Sequence, residues 1–463
     1  MIQYTSQHQT YLPDCGDLYE LALDPTNRWI QLADLLPWDR MVGLYAQRMN
    51  RTQGAPAINP RWIIGAMIIK HKLKLGDEQT LQLISENPYM QRFLGLRHYH
   101  PQPLFSPSLL VAVRKRIGKA LFDEFLGLLV HPHKVATNAQ ADQAPELDKS
   151  AKRSNKGHLK LDATVADQYI RYPNDLGLLN EAREKTEKLI DLLFEQGLWH
   201  GPAKPRTYRK LAHKRYVAMA KKKRVLASKR RMEIRYQLNC VARNLGHLQR
   251  MVEVAPADAF PLSHGQQRTV WIIQTLVGQQ REMYEKRLKR CDHRIVSLHQ
   301  PHVRPIVRGK MGRKVEFGAK LGLSLAEGYL ANEVLSWDAY YEGDDLPAQV
   351  NAYHALYGHY PELLQVDKAY RNDFTRQWCK ERGIRMTDIP RGRPAQKTAA
   401  QKRKQRDEYA QRNQIEGRIG QAKQALSLNQ IKARLKETSE AWIGATLFTL
   451  NLSHFAKTLG LTF

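Results

Sequence analysis

Residues 409 to 423 read YAQRNQIEGRIGQAK and place a tyrosine, an arginine, a glutamate and a lysine at the spacing Y-x2-R-x3-E-x6-K. On a helix turning about 100° per residue, Tyr409, Arg412, Glu416 and Lys423 fall within roughly 60° of one another. One face then presents a carboxylate, two cations and a phenol, and an apolar strip (Ile415, Ile419, Ala422, Leu426) lies alongside to dock it. Arg412 and Lys423 suit phosphate oxygens, the first as a fork and the second as a point charge. Tyr409 can stack on a displaced base or hydrogen-bond a phosphate. In isolation the same stripe would also serve as a solvated face with charge pairs four residues apart.

Two more acids give the stripe a chemical context. Asp162 lies in HLKLDATVADQYI, which alternates and is rich in strand formers, and Asp367 ends the short apolar run LLQV. Each has a plain alternative: Asp162 as the polar face of an edge strand with Lys160 and Thr164, Asp367 as a turn cap. Asp167 is the rival for the first position, although its place before QYI suits a turn better.

The elements that must position these acids follow from hydrophobic period. Residues 1–135 read as helices, with apolar steps of three and four over Leu32–Met49 and Pro60–Leu75. The break at Gly76-Asp77 is compatible with a helix-turn-helix reader or with a plain bundle. Residues 136–157 have linker composition. A strand carries Asp162, and residues 176–294 form one long basic helical stretch. Strand signals return where Val315, Phe317, Ala319, Leu321, Leu323 and Leu325 alternate, with Ala326-Glu-Gly-Tyr as the turn into Leu330–Trp337. A helix (Leu346–Tyr357), a strand (Leu363–Val366), a helix (Phe374–Arg382), a strand (Ile384–Ile389), a basic loop and the Tyr409–Lys423 helix complete the chain.

Without residues 176–294 the order is strand, strand, strand, helix, strand, helix, strand, helix, which is the ribonuclease-H-like order. Crossover helices favour parallel neighbours. The arrangement puts Asp162 beside Asp367 and brings Glu416 in from the last helix. Three such carboxylates repel one another, so the site makes sense with divalent cations between them. Mg²⁺ fits as a hard ion that takes one or two carboxylates plus water and phosphate oxygens. Two such ions can activate an attacking oxygen and stabilise the leaving one at a phosphodiester.

Charge names the partner. The chain of 463 residues carries 73 Lys+Arg against 45 Asp+Glu, a net charge of +28, and that excess speaks for a polyanion. It is concentrated between His200 and Arg250, where sixteen Lys/Arg face the single acid Glu233. Lys221, Lys222, Lys223 and Arg224 are its densest run and are expected to meet the phosphate backbone. Arg391 and Arg393, in Arg391-Gly392-Arg393-Pro394, resemble a minor-groove core or form a basic loop that touches DNA. Cys15, Cys240, Cys291 and Cys379 stand too far apart for a zinc ribbon or disulfide framework. No signal peptide or spanning segment is evident, so a cytoplasmic setting without a membrane is expected.

These pieces together resemble the DDE transposases of bacterial insertion sequences, in the group marked by the Tyr-Arg-Glu-Lys motif. The likeness is greatest to the family named after insertion sequence five. It rests on NPRWIIGAMIIKHKLKLGDEQTLQLISENPYMQRFLGL, on KLDATVAD, on LLQVDKAYRN, on HQPHVRPIVRGKMGRKVEFGAK and on the Tyr409–Lys423 helix. The resemblance implies an α/β ribonuclease-H-like catalytic core (158–175 plus 295–463) with an all-helical insertion after its first strand (176–294). An all-α N-terminal DNA-binding domain (1–135) precedes it. It further implies Asp162, Asp367 and Glu416 as catalytic acids and metal ligands, two Mg²⁺ or Mn²⁺ ions, and cleavage and joining of DNA at terminal inverted repeats. A homodimer in the synaptic complex and a nucleoid-associated location go with it. A catalytically inactive DNA-binding relative, or a nuclease or resolvase of the same fold, would share most of these features. The 204 residues between Asp162 and Asp367 depart from simpler members.

Overall fold

The computed structural model describes residues 4, 6, 23–49, 57–131, 155–256, 260–307, 315–387 and 398–463. Two compact units emerge. The first comprises Met1–Gln168, Ala319–Ser336 and Tyr340–Phe463, and the second Tyr169–Gly318 with Trp337–Ala339.

The chain begins with helices α1 (Arg28–Leu35), α2 (Trp38–Ala46), α3 (Pro60–Leu73), α4 (Asp77–Glu86), α5 (Pro88–Phe93), α6 (Pro107–Ile117) and α7 (Ala120–Val130). Strand β1 (His158–Asp167) follows, then α8 (Asp175–Glu195), α9 (Arg209–Ala220), α10 (Ala227–Glu253) and α11 (His264–Glu285). After them come β2 (Arg304–Val307), β3 (Val315–Ala326), β4 (Tyr329–Ser336), α12 (Leu346–Tyr357), β5 (Leu363–Gln365), α13 (Asp373–Glu381) and β6 (Arg385–Met386). The last two helices are α14 (Ala399–Ala425) and α15 (Lys436–Thr458).

Local chemistry sets the helix ends. The single helix expected over Leu32–Met49 is two, because Leu36 is extended (ψ 133°) ahead of Pro37, as a residue before proline prefers. Asn59 caps α3 by accepting from the Arg61 amide, with Pro60 in the first turn. Lys74 closes α3 in the left-handed region, and the Gln79 side chain accepts from the Gly76 amide to open α4. A helix, a short glycine-containing turn and a second helix are therefore present. Arg114 of α6 holds Asp77 with two hydrogen bonds of 2.9 and 2.6 Å, and Lys70 lies 2.9 Å from the same carboxylate.

Burial alone would raise the Asp77 carboxyl, but Arg114 and Lys70 bring it down to about 2. A depressed carboxylate contributes stability that is complete above its ordinary value of 3.8 and is lost as pH falls towards about 2. Asp77→Asn is expected to cost about 2 kcal/mol at neutral pH. The variant should also lose less stability than the parent between those pH values, as measured by thermal unfolding across an acid series. Equal acid losses in the two proteins would show that Asp77 is not held this way.

The core of the N-terminal helices joins Trp29, Leu32, Trp38, Phe93, Leu110, Phe122 and Phe125 with Ala441, Ala445, Phe448 and Leu452 of α15. Phe448 lies 5.5 Å from Phe125 by ring centroids. Helix α15 is buried along most of its length, and its apolar stretch Ala441–Ala456 carries the buried Thr446, Thr449 and Asn451 within it.

The sheet of the first unit runs β4-β3-β1-β5-β6. β3 and β4 are antiparallel, while β1–β5 and β5–β6 are parallel. The β3–β4 turn has Glu327 and Gly328 both at positive φ (50° and 85°), the geometry of a two-residue hairpin turn in which glycine fits best. β3 does not alternate in burial as its sequence does. From Gly318 to Ala326 every residue is buried, as in a strand covered on both faces. At Gly322 a Cβ would lie 2.6 Å from a carboxylate oxygen of Asp345, so a larger residue there would require that side chain to move. β6 is limited to Arg385–Met386, shorter than the Ile384–Ile389 strand expected, whose last residues lie outside the described ones.

In the second unit the expected continuous helical stretch is four helices, α8 to α11. Leu178, Leu179 and Ala182 of α8 pack with Leu238 and Val241 of α10 and with Ile272, Ile273, Leu276 and Val277 of α11. Buried polar pairs run through these helices. Arg183 donates to Glu187 (2.6 Å), and Asn244 donates to the Thr186 hydroxyl (3.0 Å). β2 pairs antiparallel with the start of β3. Among the described residues no helix is long and apolar enough to cross a membrane.

Candidate active site

Strand register brings the first two acids together. β1 and β5 pair in parallel with His158 opposite Leu363, Leu159 opposite Leu364 and Lys160 opposite Gln365. Continued by two residues, this register sets Asp162 level with Asp367. Adjacent strands stand about 4.8 Å apart. Asp162 is half-buried and accepts from the Ala163 amide at 2.8 Å, whereas Asp367 is exposed and accepts from the Lys368 amide at 2.6 Å. Asp167 is an odd number of residues further on and so belongs to the other face of β1. Its carbonyl receives the Ile431 amide at 3.0 Å.

Helix α14 brings the third acid. Its buried residues are Glu408, Arg412, Ile415, Ile419 and Ala422, so the apolar strip seen in the sequence is the side that docks. Arg412 lies inside that strip at 6% exposure. Its guanidinium reaches Glu416 at 3.2 Å and Asp367 at 4.0 Å. One buried cation thus faces the acid of the helix and the acid of the strand end. Tyr409 is exposed, with the Arg412 guanidinium 5.8 Å from its ring centroid, and Lys423 is half-buried two turns beyond Glu416 on the same stripe.

Sequence reasoning missed the residues that set the height of α14. Gln365 is fully buried and donates to the Glu408 carbonyl at 2.8 Å and to the Gln411 side chain at 3.4 Å. Arg385 of β6 pairs with the Glu408 carboxylate at 2.7 Å. The signal for them was a glutamine in an otherwise apolar strand, since a buried amide must find partners. Tyr370 was also missed. Its phenol is buried without a hydrogen-bond partner among the described residues. Burial, and then the charges of Glu342, Asp162 and Asp345, push its ionisation far above the ordinary value.

Other expected residues lie elsewhere. Lys221, Lys222, Lys223 and Arg224 are all exposed between α9 and α10 in the second unit. Not every cation of that block is free: Lys204 and Arg209 pair with Asp191, and Arg215 pairs with Glu233. Arg391 and Arg393 lie outside the described residues. Among the described residues no three His, Cys, Asp or Glu side chains form a ready-made metal cluster.

Two family models match parts of the chain. Residues 364–453 match the family model described as a transposase DDE domain, and residues 17–116 match one described as a transposase domain (DUF772). Both matches point to a transposase. The DDE domain implies a ribonuclease-H-like fold and supports a transposase enzyme with DNA as its substrate. Its span contains Asp367, Tyr409, Arg412, Glu416 and Lys423, while Asp162 precedes it. The chain is also 27% identical, over 201 residues, to a Rhizobium meliloti protein described as uncharacterized protein ORF8 in the nfe locus. That alignment covers 43% of this chain and 87% of the relative. No solved structure matches the chain at a significant level.

Proposed function

We propose that this transposase belongs to the Tyr-Arg-Glu-Lys group of insertion-sequence enzymes, nearest the family named after insertion sequence five. It binds the terminal inverted repeats, cuts the ends by phosphodiester hydrolysis and joins the 3′-hydroxyls to target DNA. The observation that carries the reading is Asp162 level with Asp367, with Arg412 reaching from Asp367 to Glu416. In this reading the chain is an N-terminal helical DNA-binding part, a linker at 136–157, a ribonuclease-H-like core and an all-helical basic insertion after the first strand. It works as a homodimer on paired ends, in the cytoplasm and on the nucleoid.

The donor set fits a hard divalent cation, because carboxylate oxygens from β1 and from the chain just past β5 need only water and phosphate oxygens to complete its shell. The unpartnered Tyr370 hydroxyl in the field of Asp162 is in keeping with ordered water there. Asp162, Asp367 and Glu416 would hold Mg²⁺ or Mn²⁺, two ions in all. Such ions supply an activated water and charge stabilisation at phosphate. Arg412 keeps Glu416 and Asp367 oriented, and Lys423 and Tyr409 grip the phosphate or base beside the cut. The α3–turn–α4 segment is the candidate reader of base edges.

End binding tests the reading. The full-length protein should retard a duplex carrying the element's terminal repeat in preference to a scrambled duplex. Equal retardation would remove the end-specific function. Neutralising Lys221, Lys222, Lys223 and Arg224 together should weaken binding to both duplexes. The salt dependence should also flatten, by up to about 0.9 log units for each phosphate no longer neutralised. An unchanged slope would mean that this run faces something other than DNA.

A further inference from the structure

The second unit contains a cavity of about 880 Å³ that the catalytic reading does not use. Its wall is built by β2 and the start of β3, through Pro305, Val307, Val315 and Phe317. Across from an apolar wall, aromatic side chains would ordinarily be covered. Here Tyr172 stands at the cavity 75% exposed, edge-on to Phe317 with ring centroids 5.6 Å apart, and Tyr216 lines it as well.

Cations complete the lining. Arg171, Lys222, Arg230, Lys289 and Arg290 all contribute, and none of the five has an ion-pair partner among the described residues. The sole acid of the lining is Asp175, and it is taken. It accepts from Arg294 at 2.6 Å and from Gln280 at 2.7 Å. Lys222 also belongs to the exposed run 221–224, so cationic surface continues from the cavity along the chain.

We infer that this cavity receives one unpaired nucleotide of a DNA strand, the base against Tyr172 and Phe317 and the flanking phosphates on the unpaired cations. The volume lies in the range of sites that enclose a ligand of nucleotide size, and it is too small for an intact duplex. Aromatic faces accept any base by stacking, and free cations at the rim track the backbone, the combination used for unpaired strands. A small inorganic anion would use the cations and leave the aromatic wall idle. The inference rests on the reading of the chain as an enzyme that acts on DNA.

The test uses the full-length protein and two short duplexes of the same sequence, one fully paired and one with a single unpaired 2-aminopurine nucleotide. The unpaired nucleotide should bind roughly ten-fold more tightly than the paired control, with its fluorescence quenched on binding. Tyr172→Ala should abolish the preference and the quenching while leaving the paired duplex bound as before, and Tyr172→Phe should retain both. Because Tyr172 is mostly exposed, the variant keeps its fold, and circular dichroism confirms this. Equal binding of the two duplexes by the unaltered protein, or a preference that survives Tyr172→Ala, overturns the inference while the DNA reading stands. Failure to bind either duplex overturns both.

Discussion

Asp162→Ala and Asp367→Ala are each expected to lower end cleavage by on the order of a thousand-fold or more, with end binding retained. The β1–β5 register, carried two residues past the end of β5, sets the two carboxylates level, so removing either takes away one of the three acid charges that the site can offer a cation. Glu416→Ala should fail in the same assay for a second reason as well, since it frees Arg412 to turn wholly towards Asp367. Removing an acid from a DNA-facing cleft lessens repulsion, so binding by these variants should equal or exceed that of the parent. Cleavage of labelled ends read beside a gel shift separates the two effects. Cutting retained by any one variant removes that residue from the site.

The second large effect concerns stability. Phe448→Ala is expected to cost about 3–5 kcal/mol, the usual penalty for truncating a buried phenylalanine. Phe448 belongs to α15, yet its neighbours are Phe122 and Phe125 of α7. Gly444→Val should also destabilise, by about 1–3 kcal/mol, because a Cβ at Gly444 would meet Phe122 at 3.0 Å. A chain ended before α15 should leave the N-terminal helices poorly packed. Limited proteolysis of Phe448→Ala should open α6 and α7 ahead of the sheet. An unchanged thermal midpoint in Phe448→Ala would show that α15 does not support these helices.

The elements that position the acids were legible because their signals are local. The alternation of Val315 to Leu325, the glycine turn at 328 and the i, i+3, i+4 strip of α14 are each decided within a few residues of chain. The level placement of Asp162 and Asp367 followed from topology, since parallel strands joined by crossovers leave few arrangements. Packing between distant segments was not legible. The apolar run of α15 says that the helix is buried and not against what, so its place in the core of the N-terminal helices could not be read. The apolar period over Leu32–Met49 runs through Pro37, where the extended Leu36 divides it into two helices. Counting charges over 200–250 overstated the free surface, because Asp191 and Glu233 tie down Lys204, Arg209 and Arg215. The buried Gln365 and the Arg385–Glu408 pair appear only once three elements have met.

The most direct measurement is the fate of a labelled DNA end. The full-length protein is incubated with duplex carrying the terminal inverted repeat and flanking DNA, with a supercoiled plasmid as target and Mg²⁺ or Mn²⁺ supplied. The expected products are a 3′-hydroxyl at the tip of the repeat and the joining of that strand to plasmid, both absent when Asp162, Asp367 and Glu416 are replaced together. A bound end left intact with either metal, or cutting that survives the triple replacement, would contradict the assignment of this site.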